Sequence, residues 1–269
     1  MPALKRIESR DNAQVKALVK LAASASERRR TGTTLIEGER LVAAYRDSGG
    51  TAETIAVGES AYAKPGIRSL VDAAPARVKL LLSDRVVEKV SQVVTASGVV
   101  AVVEAPKPPE IPRELGAAVL IENLQDPGNL GSILRSAAAA GIRDVFLSPG
   151  SVFAWSPKTV RAGMGAHFFL SIHENADLAD VARRCKGRVV ATEPRAKASL
   201  YETKLDGAVA WLFGNEGAGL SEAGRGVATD WVRIPMPGKS ESLNVAAAAA
   251  ICLFEQVRQK KALDGYPKP

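Results

Sequence analysis

The sequence predicts two α/β units in series, the second built on a parallel sheet. Three observations carry this reading. Short β-prone apolar runs alternate with stretches of helical period along most of the chain. The runs of the second half are almost continuously apolar, which suits strands covered on both faces. Between the halves, Pro106, Pro108, Pro109 and Pro112 crowd one segment that can continue neither a helix nor a central strand. The expected boundaries are therefore a small domain over 1–105, a semi-rigid linker over 106–115 and a second domain over 116–269.

In the first domain Val15, Leu18, Val19 and Ala22 recur at helical spacing. Thr33–Ile36 and Thr54–Val57 read as strands flanking a helix from Glu39 to about Asp47. Val78–Leu82 and Val99–Val103 are two further strands around a charged helix from Asp84 to Val94, completing a small sandwich. In the second domain the expected strands are Ala118–Ile121, Val145–Leu147, Val189–Thr192, Val209–Phe213 and Val232–Ile234. Its helices are expected at Leu130–Ala140, about Asp177–Cys185, and Leu243–Lys260.

Composition removes several function classes. With 269 residues, 46% hydrophobic and 24% charged, the chain is no disordered protein. No apolar run approaches the roughly 18 residues of a membrane span. Cys185 and Cys252 stand far apart in no metal-type spacing, and suit a reducing cytoplasm. His167 and His173 are the only histidines, so no metal site is expected and all four residues read as structural. The net charge of +7 favours a polyanionic partner. Ten Lys or Arg against five Asp or Glu fall in residues 1–46, including the run Arg28-Arg29-Arg30. Glu8, Asp11 and Glu27 interrupt that region and no apolar core accompanies it, so it reads as mature protein.

Three Gly- and Asn-rich turns each follow an expected strand, where parallel sheets bind ligands. The first runs Glu122-Asn123-Leu124-Gln125-Asp126-Pro127-Gly128-Asn129-Leu130-Gly131 and leads to Arg135. The second is Gly214-Asn215-Glu216-Gly217-Ala218-Gly219-Leu220-Ser221. The third runs from Ile234 through Gly238-Lys239-Ser240-Glu241-Ser242-Leu243-Asn244. Gly238-Lys239-Ser240 lacks the first glycine of a phosphate loop, since residue 233 is Arg233; Gly214, Gly217 and Gly219 are in the wrong order for a dinucleotide fingerprint. Each turn carries polar side chains where its strand ends: Asn129, Glu216, Ser242 and Asn244. Arg135, close to two helical turns past Asn129, is expected on the same side.

These turns, with Ile234-Pro235-Met236 and Ser242-Leu243-Asn244-Val245-Ala246, resemble the three ordered motifs of the SpoU (TrmH-type) RNA methyltransferases. Leu35-Ile36-Glu37-Gly38-Glu39-Arg40 is similar to the substrate-binding domain of the ribosomal-RNA branch. The resemblance implies an α/β fold whose C-terminal SPOUT-type domain is tied in a trefoil knot, a topology that general chain rules disfavour. It implies S-adenosylmethionine held largely by backbone at Gly214, Ile234 and Leu243, with Thr192 after its strand, and a homodimer that completes the site. The implied reaction is methylation of a ribose 2′-hydroxyl. Arg135 is then essential, and either it or Glu216 takes the proton. Asn129 orients Arg135 or the ribose, Asn244 meets substrate or a neighbouring loop, and Ser242 positions Arg135 or a phosphate.

The 2′-hydroxyl makes the partner RNA. The first domain, through Arg28, Arg29, Arg30, Lys16, Lys20 and Arg40, is expected to hold its backbone, and Phe153 and Trp155 are candidates for stacking on a base. The resemblance favours ribosomal RNA, since the tRNA branch usually carries only short helical extensions where this chain has a domain of about a hundred residues. A tRNA methyltransferase and a non-catalytic RNA-binding or ribosome-assembly protein are the alternatives.

Overall fold

The computed structural model describes residues 3–91 and 97–264. The chain divides into two compact units, residues 1–107 with 155–168, and residues 108–154 with 169–269. The first is thus discontinuous: 155–168, expected within the second domain, clusters with the first unit.

The first unit runs β1 (Leu4–Ile7), α1 (Ala13–Ala23), α2 (Ala25–Thr31), β2 (Thr33–Glu37), α3 (Glu39–Asp47), β3 (Ala52–Gly58), α4 (Glu59–Tyr62), α5 (Pro65–Ala73), β4 (Ala76–Leu82), α6 (Asp84–Val90) and β5 (Val99–Glu104). Its sheet has the order β1-β4-β3-β5-β2. β1, β4 and β3 are parallel, while β5 is antiparallel to both β3 and β2. Of the helical stripe read in the sequence, Val15, Leu18 and Ala22 are buried and Val19 is partly buried; with Leu21, which that stripe left out, they close over Leu35, Ala56, Leu80 and Leu82 from the sheet. The tail of the helix expected to reach Val94 lies outside the described residues.

The second unit opens with β6 (Ala118–Ile121), α7 (Pro127–Ala139) and β7 (Asp144–Leu147). After α8 (Pro157–Gly163), which belongs to the first unit, come β8 (Ser171–His173), α9 (Leu178–Arg184), β9 (Arg188–Thr192), β10 (Ala198–Ser199), β11 (Val209–Phe213), α10 (Glu222–Val227), β12 (Asp230–Arg233) and α11 (Val245–Asp264). The seven strands lie in the order β10-β12-β9-β11-β6-β7-β8, all parallel. β6 and β11 are buried along their whole length, as strands covered on both faces must be.

α11 packs on α7 and β11. Its Gln256 accepts a bond from the buried Trp211 indole at 2.8 Å, which satisfies a donor that would otherwise be stranded in the core. Because all seven strands point one way, the ends of β6, β9, β11 and β12 open on one edge of the sheet, and all three turns leave from that edge.

Candidate active site

Asp126 starts α7 by accepting from Asn129 N–H at 2.8 Å, with Pro127 at the first helical position, where its missing N–H costs nothing. The second turn closes on itself. Asn215 and Gly219 exchange backbone bonds of 3.0 Å, and Asn215 Oδ1 accepts from Gly217 and Ala218 N–H at 2.9 Å each. Gly214 lies against that closure: a Cβ there would come within 2.6 Å of Gly219 C and 2.7 Å of Leu220 N.

Glu216 leaves this closed turn and reaches the first. Its carboxylate accepts from Gln125 N–H (3.3 Å), Asp126 N–H (3.1 Å) and Asn129 Nδ2 (3.1 Å). Burial pushes the Glu216 carboxyl up, but bonds from its own backbone, Asn129, Asp126 and Gln125 outweigh this and hold it below the usual carboxylate range. An ionised carboxylate only accepts, so it fixes the Asn129 amide with Nδ2 toward Glu216. Asn129 Oδ1 then faces away and accepts from Asn244 Nδ2 at 2.9 Å. Asn244 Oδ1, oriented in turn, caps α11 by accepting from Ala246 N–H (2.9 Å) and Ala247 N–H (3.3 Å). One chain of polarity joins all three turns.

Beside it opens a cleft of about 750 Å³ including its mouth, lined by Thr192, Gly214, Ile234 and Leu243 among others. All four residues expected to hold a cofactor therefore share one cavity, and Glu216 and Ser242 border it too. Its walls combine apolar Leu220, Ile234, Met236 and Val245 with polar Thr192, Glu193, Asn215 and Glu216. That mix fits a ligand with a flat ring and a polar, partly cationic tail, so the residues present suit S-adenosylmethionine.

Arg135 stands apart from this network. It is exposed, and among the described residues its guanidinium has no hydrogen-bond or ion-pair partner. Six positions along a helix turn through about 600°, so Arg135 and Asn129 sit roughly 120° apart around α7 rather than on one side as expected.

The basic residues of the first unit divide. Arg28, expected to hold RNA, is buried, and its Nη1 donates to Leu21 O (2.7 Å) and Ala22 O (2.9 Å) at the end of α1. It is a plug in the core, since those last-turn carbonyls have no intrahelical donor. Lys16 pairs with Asp11 at 3.0 Å, and Lys20 and Arg30 share Glu27 at 2.9 and 2.6 Å. The Arg30 bond first, then Lys20, brings the Glu27 carboxyl down to about 2. Arg29 and Arg40 are exposed. Trp155 is 4% exposed and stacks edgewise on buried His167 at 5.2 Å, so it offers no face to a base. Glu122, Gln125, Glu193 and Asn215 complete the turns; sequence reasoning gave them no role, because one polar residue in a turn carries no signal of its own.

Among the described residues no group of His, Cys, Asp or Glu could hold a metal ion, and no helix is long and apolar enough to cross a membrane.

The parallel sheet, the three joined turns and the cleft define a methyltransferase domain. Residues 116–254 match the SpoU rRNA Methylase family and residues 12–101 the MRM3-like substrate binding domain. The chain belongs to the SpoU rRNA methylase family, RNA 2′-O-methyltransferases that use S-adenosylmethionine. It is 32% identical over 256 residues to the 23S rRNA (guanosine(2553)-2′-O)-methyltransferase RlmP of Bacillus subtilis, covering 93% of this chain and 98% of that one. It is 32% identical over 270 residues to the 23S rRNA (uridine(2479)-2′-O)-methyltransferase of Streptomyces viridochromogenes, covering 96% and 94%. The crystal structure of the SpoU methyltransferase AviRb from that organism in complex with AdoMet superposes with a TM-score of 0.82 at 29% identity, over 93% of this chain and 98% of that one.

Proposed function

We propose that this chain transfers a methyl group from S-adenosylmethionine to a ribose 2′-hydroxyl of ribosomal RNA. The observation that carries the reading is the Glu216–Asn129–Asn244 chain of bonds beside a cleft lined by Thr192, Gly214, Ile234 and Leu243. Ribosomal rather than transfer RNA is supported by relatives that match nearly end to end and are named for 23S rRNA. The tRNA alternative and the non-catalytic alternative lose ground accordingly.

Bound in the cleft, S-adenosylmethionine supplies an electrophilic methyl carbon. The protein's task is to bring a sugar hydroxyl to that carbon and to stabilise the oxygen as it loses its proton. Glu216 is unsuited to take the proton, because three donors engage its carboxylate and keep it a weak base. Its part is to lock the second turn onto the first. The Arg135 guanidinium, exposed and without a side-chain partner among the described residues, binds the neighbouring phosphate and stabilises the developing alkoxide, while the hydroxyl proton passes to solvent water. Asn129 and Asn244 hold the turns in register, and Ser242 at the cleft edge positions phosphate or Arg135.

The same reading includes a C-terminal segment threaded as a trefoil knot, a homodimer that completes the site and work in the cytoplasm. Residues 1–105 bind RNA through Arg29, Arg30, Arg40, Lys16 and Lys20, residues 106–115 act as linker, and residues 116–269 carry the chemistry.

The test is incubation with methyl-labelled S-adenosylmethionine and either ribosomal RNA or tRNA, followed by alkaline hydrolysis. Label in hydrolysis-resistant dinucleotides of ribosomal RNA is expected, because a methylated 2′-oxygen cannot attack its phosphate. Resistant label in tRNA alone would overturn the choice of substrate. No label in either, with cofactor bound, would favour the binding-protein alternative.

A further inference from the structure

We propose that Glu122 is a positioning residue for the cleft-lining loop Gly214–Leu220, which it staples at both ends. The inference rests on the S-adenosylmethionine reading of the cleft. Glu122 follows the last residue of β6, and its backbone N–H donates to Phe213 O at 2.8 Å, the carbonyl just before the loop. Its carboxylate reaches the residue just after the loop: Oε2 accepts from Ser221 N–H at 2.8 Å and Oε1 from Ser221 Oγ at 2.6 Å. One residue thus fixes the points where the loop leaves β11 and where α10 begins.

Gly224 gives independent support. A Cβ at that position would lie 2.5 Å from Glu122 Oε2 and 2.7 Å from Oε1, so the first turn of α10 leaves room for this carboxylate and for no side chain of its own. The Ser221 hydroxyl, which donates a hydrogen bond to Glu122, accepts from Gly224 N–H at 3.0 Å and so caps α10. Further along the same helix, Arg225 binds the cleft-lining Glu193 at 3.0 and 3.3 Å. α10 therefore links Glu122 to Glu193, another residue that lines the cleft. Glu122 does not itself line the cleft, so it acts on the ligand only through the loop.

Glu216 holds the middle of the loop and Glu122 its ends. Losing Glu122 leaves the Glu216 attachments to the first turn in place but frees the loop's exit. The expected consequence is weakened cofactor binding with chemistry largely retained.

The experiment measures S-adenosylmethionine binding by calorimetry, steady-state kinetics with ribosomal RNA, and thermal melting for the wild type, Glu122→Ala and Glu122→Gln. Glu122→Ala is expected to raise both Kd and KM for S-adenosylmethionine about tenfold with kcat within about twofold, a split that general loss of folded protein does not produce. Glu122→Gln keeps one accepting oxygen, and is expected to raise them about threefold. Should the alanine variant fail to fold, the glutamine variant decides alone by the same criterion. Kd and KM unchanged from wild type in a folded variant, or a fall in kcat at unchanged KM, overturns the proposal. Wild-type protein that binds no S-adenosylmethionine overturns the function itself, a result distinct from active wild type with indifferent variants.

Discussion

Asn244 Nδ2 lies 2.9 Å from Asn129 Oδ1, a bond between residues 115 positions apart that ties the start of α11 to the start of α7. Asn244 spends its other amide atom on the cap of α11, so one side chain serves both the fold and the site. Asn244→Ala should lose about 0.5–2 kcal/mol of stability with the cap, and methyl transfer should fall by about tenfold or more as Asn129 loses its partner. Asn244→Asp separates the two roles. It keeps the capping oxygen but presents an acceptor to Asn129 Oδ1, so melting should recover while activity does not.

Arg135→Ala and Arg135→Lys should both abolish most methyl transfer, by about a hundredfold or more in kcat. A lysine keeps the charge but loses the planar fork that grips phosphate. Arg135 does not line the cleft, so S-adenosylmethionine binding measured by calorimetry should match wild type. Wild-type turnover by Arg135→Ala would remove this residue from the mechanism.

Arg28→Ala should behave as a core mutation. Its guanidinium satisfies two carbonyls in a buried setting, and the loss should cost about 1.5–3 kcal/mol in chemical denaturation. RNA affinity at fixed salt should not change. Arg40→Ala is the contrasting variant: with its stability unaltered, the slope of log affinity against log salt should fall by about one phosphate contact.

His173 is buried, stacked on Phe146 at 4.6 Å, and its Nε2 has no hydrogen-bond partner among the described residues. Burial lowers its pKa below the usual 6.5, although the Asp144 charge pulls the other way. The folded form thus binds this proton less readily than the unfolded chain, and stability should fall as pH drops below about 6.5. His173→Phe should show a smaller loss of melting temperature between about pH 7 and pH 5 than wild type. Glu216 has the same sign in a lower window: its contribution is present above the ordinary carboxylate range and lost only beneath it. Binding of the cofactor should therefore not depend on Glu216 titration at neutral pH.

The elements legible in the sequence are those whose apolar pattern is one-sided or continuous. Ala118–Ile121 and Val209–Phe213 coincide with β6 and β11, and Val78–Leu82 lies within β4. β8 and β10, of three and two residues, and α10, of six, are too short for any periodicity to register. The polar residues of the turns were legible because Asn and Gly recur after three strands. Arg28 was misread because a run of like charges suggests solvent, whereas on α2 the residues next to one another face different directions. Glu122 gave no signal, since its partners Phe213 and Ser221 lie more than ninety positions away and only strand pairing brings them close.

The excursion Trp155–Phe168 has a bearing on how this protein can be taken apart. Thr34 Oγ1 donates to Trp155 O at 2.6 Å, α8 packs on β2, and Phe168 meets Tyr45 edge to face at 5.0 Å. A fragment ending at residue 107 would carry β2 without the helix that covers it, and a fragment beginning at 108 would carry that helix without its sheet. Chimeras that exchange the two halves at the proline-rich segment inherit the same mismatch, so any graft intended to change RNA target must move 155–168 together with residues 1–107.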